Sequence, residues 1–87
     1  MRRAARKDGN QQQIVDALRD VGATVAVVNQ EGLPDLLVGF RGRNYLMEVK
    51  TSTGRIRTLQ RQFFQRWQGY VRVVRTVDEA LQLIGAV

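Results

Sequence analysis

The sequence predicts a mixed α/β domain with element order αβββαβα. Three observations carry this: apolar residues recur at helical spacing in three separated stretches, short runs rich in Val, Leu and Tyr lie between them, and Gly or a capping residue marks most boundaries. Periodicity alone leaves α/β and α+β arrangements open.

Residues 1–9 lack apolar periodicity and read as a basic N-terminal arm carrying Arg2, Arg3, Arg6 and Lys7. Asn10 can cap a first helix in which Ile14, Ala17, Leu18 and Val21 share a face, with Gly22 as its stop. Residues 23–28 read as the first strand. Two further strands, near 34–40 and 44–51, form a hairpin around a turn built on Gly42 and Asn44. Residues 51–57 make a polar, basic loop. Thr58 can cap the second helix, in which Leu59, Phe63 and Trp67 are four apart; that spacing reads as core packing rather than a base-stacking platform. Gly69 marks its end. Residues 70–74 form a short strand, and Thr76 with Glu79 makes a capping box opening a final helix whose stripe is Val77, Ala80, Leu81 and Ile84. No repeat or linker divides residues 10–87, which are expected to form one domain.

Composition removes several chemistries. The 87 residues include neither Cys nor His, which excludes thiol nucleophiles, Ser-His-Asp triads and His-ligated zinc, and Ser52, the only serine, has no base to activate it. Any catalysis must rest on carboxylates and Lys50, alone or with a hard metal. A chain this short buries only about 60 to 65% of its unfolded surface, so a homodimer is expected. No apolar run approaches a membrane span, and the basic start is not followed by a signal-peptide apolar segment, so a cytoplasmic protein is expected.

The net charge of +6 is unevenly spread. Residues 1–10 carry +3, residues 11–40 carry −3, residues 41–66 carry +6, and the rest balance. Arg41, Arg43, Arg55, Arg57 and Arg61 thus surround the hairpin and the helix after it, and a polyanion is the natural partner.

Parity decides what the hairpin presents. A loop of two residues sets Asp35 opposite Glu48, and one of four sets it opposite Lys50; either way Asp35, Leu37, Leu46, Glu48 and Lys50 share one face. Leu36, Val38, Phe40, Tyr45, Met47 and Val49 share the other. One face is therefore core, and the other gathers two carboxylates and an ammonium. Such a cluster suits Mg²⁺ or Mn²⁺, which take oxygen ligands, although cross-strand salt bridges would use the same residues.

Pro34-Asp35 followed by Glu48-Val49-Lys50 resembles the signature of the PD-(D/E)XK nuclease superfamily. With Gly32-Leu33-Pro34-Asp35-Leu36-Leu37-Val38-Gly39 before it and Leu59-Gln60, Phe63, Trp67 and Gly69 after it, the chain is similar to the small stand-alone VRR-Nuc proteins of phages over roughly residues 8–85. The resemblance implies a restriction-endonuclease-like fold: an αβββαβ core with a C-terminal helix, its mixed sheet flanked by helices. It implies a metal-dependent DNA endonuclease acting as a dimer on branched DNA such as four-way junctions or flaps. Asp35, Glu48 and the Val49 carbonyl would hold the metal, Lys50 would position the attacking water, and Gln60, in the first turn of the second helix, would assist with an amide that reaches Lys50 or a phosphate. Relatives place a Glu near the start of the first helix; here the aligned residue is Gln11, a weaker ligand without charge. That departure supports a rival reading, a nucleic-acid-binding module that keeps the fold without cutting.

Overall fold

The computed structural model describes residues 9–87. They form α1 (Gln11–Asp20), β1 (Thr24–Val27), β2 (Leu36–Phe40), β3 (Arg43–Val49), α2 (Thr58–Arg66), β4 (Val71–Val74) and α3 (Val77–Leu83), the predicted order. Arg2, Arg3, Arg6 and Lys7 lie outside the described residues. The strands make one sheet in the order β1-β2-β3-β4, antiparallel from β1 to β3 and parallel between β3 and β4. Among the described residues no helix is long and apolar enough to cross a membrane.

The first helix ends where Gly22 was expected to end it. Gly22, at φ +98°, donates its N–H to the Arg19 carbonyl while Ala23 donates to Leu18, closing the helix with a left-handed residue that a side chain would strain. Asn10 departs from its expected role. It stands at the N-cap position, but its side chain makes no capping hydrogen bond; its amide reaches across to the carbonyls of Lys50 and Arg75 instead. Strand-end carbonyls taken out of water need a protein donor, and the Asn10 amide nitrogen supplies it at the cost of the capping bond, leaving its own Oδ1 buried without a hydrogen-bond partner.

The hairpin adopts the shorter loop. Phe40 pairs with Arg43, leaving Arg41 and Gly42 as the two loop residues at φ +52° and +80°, the signs of a type I′ turn. That turn matches the right-handed strand twist, which is why a two-residue loop prevails over one that includes Asn44. Asn44 instead sits in β3 opposite Gly39. The Arg41 guanidinium lies 4.7 Å over the Phe40 ring.

Leu36, Val38, Phe40, Met47 and Val49 fall on one face, as expected, and pack under α1 and α3 through Ile14, Val15, Leu18, Ala80 and Ile84. Val21, counted in the α1 stripe, is exposed past the helix end, and Val15 takes its place in the core. The opposite face carries Glu48 and receives α2, whose Phe63 is buried at 9% exposure, a burial that stabilises by about 2 kcal/mol. The expected Leu59-Phe63-Trp67 core stripe is therefore only one residue deep. Leu59 is 49% exposed and Trp67 45%, the indole stacking on Phe63 at 5.0 Å. A single nine-residue helix over this face encloses only its middle turn.

The turn assignment has a direct test. A Cβ on Gly42 would meet nothing within 4 Å, so only its positive φ resists a side chain, and Gly42→Ala should lower stability by about 1 kcal/mol in urea unfolding. Gly39→Ala, in a strand at ordinary φ with its nearest neighbour at 3.9 Å, should cost nothing measurable.

Candidate active site

Asp35 immediately precedes β2 and, continuing the Leu36–Met47 register, stands opposite Glu48. Its backbone carbonyl accepts from Val28 N–H at 2.7 Å, tying it to the β1 side. Its carboxylate Oδ2 accepts from Val49 N–H at 2.8 Å. A residue's N–H and C=O point to the same side of a strand, so the Val49 carbonyl is directed toward Asp35 as well. On the other side of β3, Lys50 N–H continues the parallel ladder to the Val74 carbonyl at 3.0 Å.

Glu48 is the most enclosed charged group among the described residues, at 1% exposure, because α2 covers its end of β3. Its Oε2 accepts from Gln60 Nε2 at 2.5 Å and lies 3.2 Å from Lys50 Nζ. Its Oε1 is buried and has no hydrogen-bond partner. Burial pushes the Glu48 carboxyl from its ordinary 4.5 to about 7, the Asp35 charge pushes it the same way, and the Lys50 ammonium opposes both.

Lys50, 8% exposed, thus shares the face of Glu48 as parity requires. Gln60 was expected to reach Lys50 or a phosphate; it reaches Glu48. As the third residue of α2 it turns its Oε1 back to accept from Arg57 N–H at 3.0 Å, fixing the amide so that its nitrogen faces the carboxylate. Arg57 occupies the N-cap position expected for Thr58, which is the first helical residue.

These side chains line a cleft of about 940 Å³ whose other wall is the loop 28–33 and whose rim includes Arg57, Thr58 and Leu59. Gln11 is buried at the first turn of α1 and is not among the lining residues. Arg55, Arg57 and Arg61 are exposed on the loop and the start of α2. Arg41 and Arg43 are exposed at the far end of the hairpin, about 17 Å along the strands from Asp35. Two contributors escaped the sequence reading, the Asn10 amide and Arg75, whose guanidinium binds loop carbonyls. Both act between elements distant in sequence, and no local pattern announces such contacts.

Among the described residues no group of three or more acidic or other metal-ligating side chains occurs. What is present suits a hard dication: two carboxylates on one face, a backbone carbonyl directed to the Asp35 side of the strand, and a buried carboxylate oxygen with no partner, which without a ligand costs its full desolvation.

No family model matches the sequence, and no curated protein matches it. A solved structure described as a VRR_NUC domain is similar to this chain with a TM-score of 0.70 and 27% identity, covering 85% of this chain and 88% of the other.

The raised Glu48 value fixes the sign of a pH effect. Between 4.5 and about 7 the folded chain keeps a proton that the unfolded chain has released, so this group's contribution to stability falls as pH rises through that window and is level above it. In metal-free protein the loss should be on the order of 2 kcal/mol between pH 5 and 8, read from urea midpoints. Glu48→Gln should flatten the profile and exceed the parent's stability at pH 8.

Proposed function

We propose, for a chain that is a VRR-Nuc domain of restriction-endonuclease-like fold and hence a nuclease-type unit, that it is a metal-dependent endonuclease hydrolysing phosphodiester bonds in DNA. The observation that carries this reading is the buried, partnerless Oε1 of Glu48 on the same face as Asp35 and Lys50. Asp35, Glu48 and the Val49 carbonyl are the groups that would hold Mg²⁺ or Mn²⁺. The dication supplies Lewis-acid polarisation of the scissile phosphate.

The chain's own groups do the remaining work. Val49 N–H holds the Asp35 carboxylate in one orientation, and Gln60 does the same for Glu48. The Lys50 ammonium holds the attacking water in line and offsets the negative charge that builds on the phosphate. Arg57 and the N–H groups at the start of α2 receive phosphate oxygens at the cleft rim, where the helix end is positive. Arg55 and Arg61 extend that track, Arg41 and Arg43 bind the backbone further along, and the arm residues Arg2, Arg3, Arg6 and Lys7 add phosphate contacts. None of these groups reads bases, so selectivity is for DNA shape, in keeping with branched substrates presented to a homodimer.

The second reading, a binding module that does not cut, is favoured by one observation: among the described residues only Asp35 and Glu48 bring carboxylates together on the strand face of the cleft, Glu31 standing on its loop wall outside any three-acid group, with Gln11 where the resemblance places a third acid. Incubation of labelled junction, flap and duplex DNA with Mg²⁺, Mn²⁺ or EDTA separates the readings. Metal-dependent products support the nuclease, and retention of DNA without products supports the module.

Two outcomes are expected from substitution. Asp35→Asn and Glu48→Gln should each reduce cleavage at least about a thousandfold, while DNA retention in EDTA persists in gel-shift assays. Gln11→Glu should tighten Mg²⁺ binding in calorimetric titration and raise turnover if the start of α1 closes on the metal, since it adds a charged oxygen. An unchanged titration would separate Gln11 from the site.

A further inference from the structure

Behind the cleft, where β3 and β4 end, the segment carrying Lys50 and the basic loop is held by side chains from elsewhere in the chain. Arg75, just past β4, donates from Nη1 to the carbonyls of Thr51 at 2.5 Å and Gly54 at 2.9 Å. Asn10 Nδ2 donates to the carbonyls of Lys50 at 3.1 Å and Arg75 at 2.9 Å. The Glu79 carboxylate accepts from Arg75 N–H at 2.7 Å, fixing the backbone from which the guanidinium projects. The hydrogen bonds of the Arg75 guanidinium thus run to loop carbonyls.

Those carbonyls belong to a loop that is not part of any strand or helix. It leaves β3 at Lys50, turns through a hydrogen bond from Gly54 N–H to the Thr51 carbonyl, and ends at Arg57, the N-cap of α2. Gly54 is seated tightly there, since a Cβ would lie 3.2 Å from Thr51 Oγ1 and 3.3 Å from its backbone nitrogen. The outward side of the loop carries Arg55 and Arg57. The inward side meets Arg75.

We propose that Arg75 is a positioning residue for DNA: its guanidinium, with the Asn10 amide, anchors loop 51–57 from behind and so sets where Lys50, Arg55 and Arg57 stand against the phosphates. The inference rests on the nuclease reading for what the loop meets, and on the hydrogen bonds alone for what holds it. Arginine suits the position because a planar, weakly hydrated guanidinium serves two carbonyls from a preorganised stem, whereas a lysine ammonium is a strongly hydrated point charge on a flexible one.

The test compares wild type, Arg75→Ala and Arg75→Lys by amide hydrogen exchange without DNA or metal, by affinity for labelled junction DNA in EDTA, and by kcat and KM with Mg²⁺. Loss of two hydrogen bonds should speed exchange in residues 51–57 at least about tenfold in both variants, with β2 and β3 still protected. Junction affinity should weaken at least about fivefold in both, although Arg75→Lys keeps the charge, and kcat should fall with it. Unchanged loop exchange overturns the anchor, and full rescue of affinity by Arg75→Lys reduces Arg75 to a charge. Faster exchange with wild-type affinity overturns the positioning role. If the wild type binds junctions without cutting them, the nuclease reading fails, and exchange with affinity still decides on Arg75. Should Arg75→Ala not fold, Arg75→Lys and Asn10→Ala, which removes the companion donor, carry the same comparison.

Discussion

The fold is arranged around a carboxylate that ought not to be where it is. Glu48 sits near the end of a strand with the main core on one side and α2 on the other, nearly sealed from water, with one oxygen satisfied twice and the other not at all. Burying an ion in this way costs several kcal/mol unless neighbours compensate, and the neighbours account for much of the local architecture. Lys50 must emerge from the sheet on the same side, α2 must begin close enough for Gln60 to reach back, and Asp35 must be held by Val49 so that a second negative charge is tolerated nearby. A shallow, hydrated Glu would need none of this.

Much of that arrangement is legible in the sequence because it depends on alternation. Whatever even loop joined the two strands, Asp35, Glu48 and Lys50 had to share a face, and Leu36, Val38, Phe40, Met47 and Val49 had to share the other. The loop length itself was open, since Gly42 and Asn44 both tolerate turns; the twist of the strands selects the two-residue form and tolerates an arginine at positive φ. The last helix was readable for the same local reason, as Thr76 Oγ1 accepts from Glu79 N–H at 3.0 Å, while the Glu79 carboxylate serves Arg75 one residue earlier than expected.

What was not legible involves contacts across the chain. Helical spacing identified Leu59, Phe63 and Trp67 as one stripe, but a stripe says nothing of how much sheet lies beneath it, and only Phe63 found cover. Asn10 was read as a cap because capping is a local preference; its long-range bonds join residues 40 and 65 positions away. Gln60 was located in the right turn of the right helix, yet its partner depended on how α2 lies over β3.

The double attachment of Gln60 makes the helix and the carboxylate mechanically continuous. Its amide grips Glu48 while its carbonyl oxygen grips the backbone at Arg57, so the first turn of α2 is moored to the sheet through a single acid, with Phe63 as the next apolar mooring a turn later. Truncating Glu48 to alanine would cast that turn loose as well as remove a ligand, and a loss of function in such a variant would mix chemistry with scaffold. The neutral isostere, which keeps an oxygen within reach of the same nitrogen, preserves the mooring and isolates the charge.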